Sequence, residues 1–201
     1  MKTNRRVGIM GGTFNPIHNG HLLLAKTAKD FLDLEKVIFI PTGDSYMKEN
    51  VLSAEKRYHM TELAVSDQPD FEISDIELKR KGHSYTYETL EILKKENPDT
   101  DYFFLMGADS LFAIESWYQT DIICKLCTLV CVVRDDTSSM ELSHQKAKME
   151  NKYHANVILL PFEKIDISSS QIRTDCRNQK DIRKEVPEKV LTFIKEEHLY
   201  Q

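Results

Sequence analysis

Five short apolar runs punctuate the chain: Val7–Met10, Val37–Ile40, Tyr102–Met106, Thr128–Val133 and Val157–Leu160. They are rich in β-branched and aromatic residues, and none alternates apolar with polar positions. Strands covered on both faces read this way, because neither side of the pleat meets water. The stretches between them carry the period of helices. Over Leu22–Asp33, the residues Leu24, Ala28, Phe31 and Leu32 fall on one face. Ser53 stands where an N-cap is needed for a second helix, with Glu55 in its first turn. A third helix runs from Thr86 to Glu96 and stops at Asn97-Pro98. A last one opens at Val186-Pro187, with proline at the first helical position, and buries Val190, Phe193 and Ile194.

Strand and helix alternate along the whole length. That pattern predicts an α/β fold, a doubly wound parallel sheet of Rossmann-like type with helices on both faces. Ligands in such sheets bind at the carboxyl ends of the strands. No internal repeat, low-complexity tract or linker divides the sequence, so residues 1–201 read as a single domain.

Composition narrows the function. The net charge of −5 argues against a nucleic-acid partner held by phosphate neutralisation, so any positive charge offered to an anionic ligand must be local. The basic start, Met1 to Arg6, is followed only by the short run Val7–Met10, and no apolar stretch approaches the ~18 residues needed to cross a membrane. The chain is expected in the cytosol, with no membrane partner and with its cysteines reduced. Cys124 and Cys127 have the spacing of half a zinc site, followed by Cys131, but the second ligand pair is missing and Cys131 lies inside an apolar run. Small buried apolar residues are the better reading. Assembly as a homo-oligomer is compatible with the sequence.

The candidate chemistry starts where the first strand ends, at Gly11-Gly12-Thr13-Phe14. Glycines there let backbone N–H groups approach an anion, and a helix start adds partial positive charge. The segment is neither a Walker loop, since no Gly-Lys-Ser/Thr follows, nor the dehydrogenase fingerprint. His18 and His21 raise it above a plain tight turn. At i and i+3 their side chains share one side of a helix start, roughly 5–6 Å apart at Cβ. Such a pair can neutralise phosphate oxygens as charge moves in a transition state. A zinc-protease pair would stand at i, i+4 with an intervening glutamate. Gly20 between them admits close approach.

A second anion site is read at Ile167-Ser168-Ser169-Ser170-Gln171-Ile172-Arg173, where serine hydroxyls and free amides of a helix start stand one turn from an arginine. Lys48, in the polar loop after the second strand, reads equally as a mobile cation for the ligand or as an exposed loop lysine. Trp117 is divided between core and ligand contact, Thr86 is placed as an N-cap, and Asp109 could cap a helix. Arg134 is either a phosphate contact or a surface arginine. Lys79-Arg80-Lys81 reads as solvated surface.

Taken together, Gly11–His21, Lys48, Ser84–Leu90, Gly107–Leu111, Trp117 and Ile167–Arg173 resemble the nucleotidyltransferase superfamily marked by a His-x-Gly-His motif and a late Ile-Ser-Ser-Ser/Thr-x-Ile-Arg motif. More narrowly, the chain resembles the bacterial nicotinate mononucleotide adenylyltransferases. The resemblance implies transfer of AMP from ATP to nicotinate mononucleotide; no carboxylate cluster in the sequence suggests a protein-built metal site, so Mg²⁺ is expected to arrive with ATP, held mainly by its oxygens. It implies His18, His21, Lys48 and Arg173 as catalytic residues, and Gly11, Gly12, Thr13 and Phe14 as the walls of the ATP pocket. Gly107 and Asp109 would lie near the adenosine, and Ser169, Ser170 and Arg173 would hold the β- and γ-phosphates. Trp117, with Tyr118 beside it, would stack on the pyridine ring; Thr86 would receive the nicotinate carboxylate, and Arg134 would approach the mononucleotide phosphate. The loop Asp44–Lys48 departs from many members of the family in lacking a proline-histidine pair before the lysine.

Overall fold

The structure is a computed structural model that describes residues 4–43, 51–80, 82–133, 139–162 and 165–201. Its strands are β1 (Arg5–Gly12), β2 (Lys36–Pro41), β3 (Phe71–Ile73), β4 (Thr100–Gly107), β5 (Cys127–Val133) and β6 (Asn156–Pro161). All are parallel, in the order β3-β2-β1-β4-β5-β6. The helices are α1 (Asn19–Leu32), α2 (Ala54–Val65), α3 (Thr86–Glu96), α4 (Ala108–Ala113), α5 (Thr120–Leu126), α6 (Ser139–Tyr153), α7 (Ser169–Arg177) and α8 (Glu188–Glu196), with a 3-10 turn at Ile114–Ser116.

Two apolar cores, one on each face of the sheet, explain the unbroken hydrophobic runs. Successive strand residues go to opposite cores. Phe103, Leu105, Val130 and Val132 enter the first core, against Ala25, Met60, Ile172 and Val190 of α1, α2, α7 and α8. Tyr102, Phe104, Met106, Leu129 and Cys131 enter the second, against Leu90, Leu111, Ile123 and Leu142 of α3, α4, α5 and α6.

Several helix details differ from the sequence reading. α1 begins at Asn19, and its buried stripe is Ala25, Ala28 and Leu32, with Phe31 exposed. The small alanines let this helix lie close on the sheet, and Phe31 falls just off their line. Pro187 is the N-cap of α8 rather than its first residue, and Leu191 is fully buried where Phe193 is only partly so. Thr86 opens α3 as its first residue, one place after the Tyr85 N-cap. Ser53 caps α2 as expected, accepting from the Lys56 N–H at 3.4 Å.

The strand order fixes where a ligand binds. The chain leaves β1 outward through β2 to β3, then returns to the other side of β1 with β4. At that reversal the two strands are paired from Arg5↔Thr100 to Ile9↔Phe104 and part beyond it. A crevice therefore opens between Gly11-Gly12 and Gly107.

One buried arginine ties the loops above this crevice together. Arg57 of α2 is 1% exposed. It donates to the carbonyl oxygens of Leu52 and Thr13, both at 2.9 Å, to Gly43 O at 2.8 Å and to Thr42 Oγ1 at 3.3 Å. The loops after β1 and β2 are thus joined through a single guanidinium, whose fork of donors suits several acceptors at once. Gly43 is needed where it stands, because a Cβ there would lie 2.5 Å from the Glu77 carbonyl oxygen.

Two stability predictions follow from this cluster. Arg57→Met strands buried carbonyls and should lower the unfolding free energy in urea by about 3 kcal/mol, whereas an unchanged midpoint would mean that other donors take over. Gly43→Ala must push apart two backbone segments and should cost about 2 kcal/mol in the same measurement.

Candidate active site

Two cavities open at the carboxyl end of the sheet, with volumes of about 440 Å³ and 800 Å³. They share Gly11, Gly12, Thr13, Phe104, Asp109, Ser110 and Trp117 as lining, so they meet at the parted strands.

The larger cavity is built around residues 13–21. His18, in extended conformation, is the N-cap of α1, and its backbone N–H donates to His21 Nδ1 at 3.2 Å. An Nδ1 that accepts leaves the neutral His21 ring with its proton on Nε2, as a donor. The two imidazoles stack with centroids 3.6 Å apart and planes at 24°. Gly20 makes this stack fit: a Cβ there would sit 3.1 Å from His18 Nδ1, so its first close neighbour is the His18 ring. Phe14 takes a left-handed backbone at φ 47, a conformation that costs a side-chain-bearing residue about 1 kcal/mol. Its buried ring meets His21 edge-on at 5.1 Å, which holds the strained turn in place.

α7 faces this loop across the cavity. Ser168 is the cap, accepting from the Gln171 N–H at 3.2 Å. Ser169 Oγ donates to Pro16 O at 2.8 Å, and Arg173 Nη1 donates to Asn15 O at 2.9 Å. Both residues therefore brace the histidine loop while lining the cavity with Ser170. A guanidinium has five N–H donors, so one bond to Asn15 occupies only part of the Arg173 fork. Asn19 secures the far end of the loop, donating from its backbone N–H to Glu185 O and from Nδ2 to Lys184 O, both at 2.8 Å.

The smaller cavity has a different character. Ile9, Ile40, Leu90, Phe104 and Ile123 give it apolar walls, and Trp117 stands at its junction with the larger one, edge-on to Phe104 at 6.1 Å. Tyr118 is exposed, and its ring lies 5.3 Å from Tyr85 and 5.6 Å from Tyr87. Thr86 lines this cavity from the first turn of α3, whose N-cap, Tyr85, makes no side-chain capping bond to that turn. Uncapped first-turn amides favour an anionic group.

Beneath that turn lies a polar cluster. Thr89 Oγ1 donates to Glu77 Oε1 at 2.8 Å and accepts from Arg80 Nη1 at 3.2 Å. Burial pushes the Glu77 carboxyl above the usual range, against the opposing bond from Thr89. Arg80, read from the sequence as solvated surface, turns inward and pairs with Glu88 at 3.2 Å. Lys79 does stay exposed, paired with Asp75.

The other expected residues divide clearly. Gly107 and Asp109 line the larger cavity at the end of β4 and the start of α4. Lys48 and Arg134 lie outside the described residues. Cys124, Cys127 and Cys131 are buried, and burial pushes Cys124 up to about 11 and Cys131 up to about 12, so these thiols stay protonated as apolar packing groups. Sequence reasoning gave no role to Arg57, Glu77, Thr89 or Tyr200. Arg57 and Tyr200 reach partners far off in the chain, at Thr13 and Asn15, and the Glu77–Thr89 pair spans a turn that shows no regular spacing.

The Cytidylyltransferase-like family profile matches residues 9–175. The chain is 44% identical over 199 residues to a probable nicotinate-nucleotide adenylyltransferase of Clostridium botulinum (strain Alaska E43 / Type E3), covering 98% of both. It is 40% identical over 192 residues to a probable nicotinate-nucleotide adenylyltransferase of Lachnoclostridium phytofermentans, covering 94% of this chain and 96% of that one. Among solved structures, the Plasmodium falciparum nicotinic acid mononucleotide adenylyltransferase complexed with NaAD shares the fold, with a TM-score of 0.81 at 18% identity over 98% of this chain and 97% of that one. Full-length similarity of this degree decides the assignment: the chain belongs to the nicotinate-nucleotide adenylyltransferase family.

Proposed function

We propose that the chain transfers AMP from ATP to nicotinate mononucleotide, forming nicotinate adenine dinucleotide and pyrophosphate. The observation that carries this reading is the meeting of two unlike cavities at Gly11–Thr13, one lined by histidines, serines and an arginine, the other apolar with a helix start at its edge. A dinucleotide has this layout, with two nucleoside halves joined through phosphates.

In this reading ATP occupies the larger cavity, and the mononucleotide's pyridine ring lies in the smaller one against Trp117 and Tyr118. The uncapped turn at Thr86 receives the nicotinate carboxylate, because a helix N-terminus suits an anion better than a neutral amide. An oxygen of the mononucleotide 5′-phosphate attacks the α-phosphorus of ATP in line. The bond from that phosphorus to the bridging oxygen breaks, and pyrophosphate leaves with the electron pair. The attacking group is already a nucleophile, so the protein's work is alignment and charge stabilisation. His18 and His21 contact the reacting phosphates, while Ser169, Ser170 and Arg173 hold the leaving group. Lys48 and Arg134 enter the proposal as additional cations, on sequence alone.

Among the described residues, no group of three or more His, Cys, Asp and Glu side chains is arranged to hold a metal ion. In this proposal a divalent ion, Mg²⁺, would come with ATP, held mainly by ATP oxygens, and would lower the charge of the triphosphate. Among the described residues no helix is long and apolar enough to cross a membrane. A single domain working in the cytosol completes the proposal.

The direct test is pyrophosphate release with ATP and Mg²⁺, comparing nicotinate mononucleotide, nicotinamide mononucleotide and phosphopantetheine. Nicotinate mononucleotide should be used best; preference for phosphopantetheine, or no turnover, would overturn the reading. His18→Ala and His21→Ala should each lower kcat by about 10²–10³-fold with the fold intact by circular dichroism, and near-normal turnover in either would remove its assigned role. Trp117→Ala should raise KM for nicotinate mononucleotide by about 10-fold, more than it raises KM for ATP, as expected for loss of a stacking contact.

A further inference from the structure

A residue far outside the motifs grips the histidine loop from behind. The Tyr200 hydroxyl donates to Asn15 Oδ1 at 2.8 Å, across 185 positions of sequence. Asn15 is 5% exposed, and the same Oδ1 lies 3.5 Å from the Leu52 backbone N–H. Its main-chain oxygen accepts from Arg173. Asn15 thus works as an acceptor at both its side chain and its backbone, and it stands just before Pro16, Ile17 and His18.

Tyr200 is itself firmly set. Its ring packs on the first core beside the buried Leu199, and its backbone is left-handed at φ 64, which a tyrosine adopts only where its surroundings hold it. Burial pushes its phenol upward despite the opposing pull of Arg173 and Arg57, so the hydroxyl remains a donor through the neutral range.

We propose that Tyr200 is a positioning residue for AMP transfer: its hydroxyl, acting through Asn15 Oδ1, fixes residues 15–18 so that His18 and His21 stay aligned with Ser169 and Arg173. This rests on the adenylyl-transfer reading. Without the hydroxyl the Asn15 side chain loses its short bond, and the loop can shift while α7 stays in place. Transition-state alignment then suffers more than ground-state binding of the mononucleotide in the other cavity.

The test is a kinetic double-mutant cycle with nicotinate mononucleotide and ATP on the full chain, run well below the melting temperature. Tyr200→Phe should lower kcat by about 5- to 10-fold, the effect of one lost hydrogen bond, with KM for nicotinate mononucleotide within about 2-fold of wild type. Asn15→Ala should lower kcat at least as much, and adding Tyr200→Phe to it should change kcat less than about 2-fold. Val190→Ala, a core truncation in α8, should reduce thermal stability and leave kcat near wild type. An unchanged kcat in Tyr200→Phe, or an equal loss from it in the presence and absence of Asn15, overturns the inference. So does a kcat in Val190→Ala that falls as far as in Tyr200→Phe, since general destabilisation would then explain both. Absence of transfer by the wild-type chain would instead sink the adenylyl-transfer reading itself.

Discussion

A backbone that leaves a sheet leaves its hydrogen-bond partners behind, and residues 13–18 do so at the centre of this molecule. Buried carbonyls there must find donors or carry a penalty of the order of a whole hydrogen bond. They find them on side chains brought from three distant places. Thr13 O is met by Arg57, Asn15 O by Arg173 and Pro16 O by Ser169, while the Asn15 side chain is met by Tyr200. The position of the stacked histidines follows from this pairing. So does the alignment of the loop with α7 on the opposite wall.

The acidic balance of the chain sits comfortably with anionic substrates once these donors are counted. Among the described residues, positive potential at the crevice comes from oriented groups rather than from net charge: helix starts at Asn19, Thr86 and Ser169, an Nε2–H on the neutral His21 ring, and the Arg173 guanidinium. Such dipoles are fixed by the fold before any ligand arrives, so little reorganisation accompanies the movement of charge during transfer.

Much of this was legible in the sequence. Five strands were visible as unbroken apolar runs because each feeds two cores, and helix starts at Ser53 and Ser168 followed ordinary capping chemistry. The histidine pair and the serine cluster could be named because their chemistry is carried by residue type at short spacing, whereas Trp117 stood divided between core and ligand contact until the family resemblance favoured the ligand. β3 escaped because Phe71–Ile73 is too short to show a period. α6 escaped because Leu142 and Met149, with the partly buried Tyr153, are widely spaced apolar positions in an otherwise polar segment. Arg57 and Arg80 have the local appearance of surface residues, and only tertiary contacts turn them inward. Ser169 and Arg173 were legible as a candidate anion site, whereas their bonds to Pro16 and Asn15 span more than 150 positions and leave no local trace.

The bond between Asn15 and Tyr200 also has a bearing on synthesis. A growing chain that has just completed β6 at Pro161 already has every strand of the sheet and the whole glycine-histidine segment. It still lacks Ser169, Arg173 and Tyr200, which hold that segment from the other side. The earliest-made motif thus waits on the last-made residues, and a chain stalled after β6 would also lack Ile172 and Val190 of α7 and α8, which close the first core.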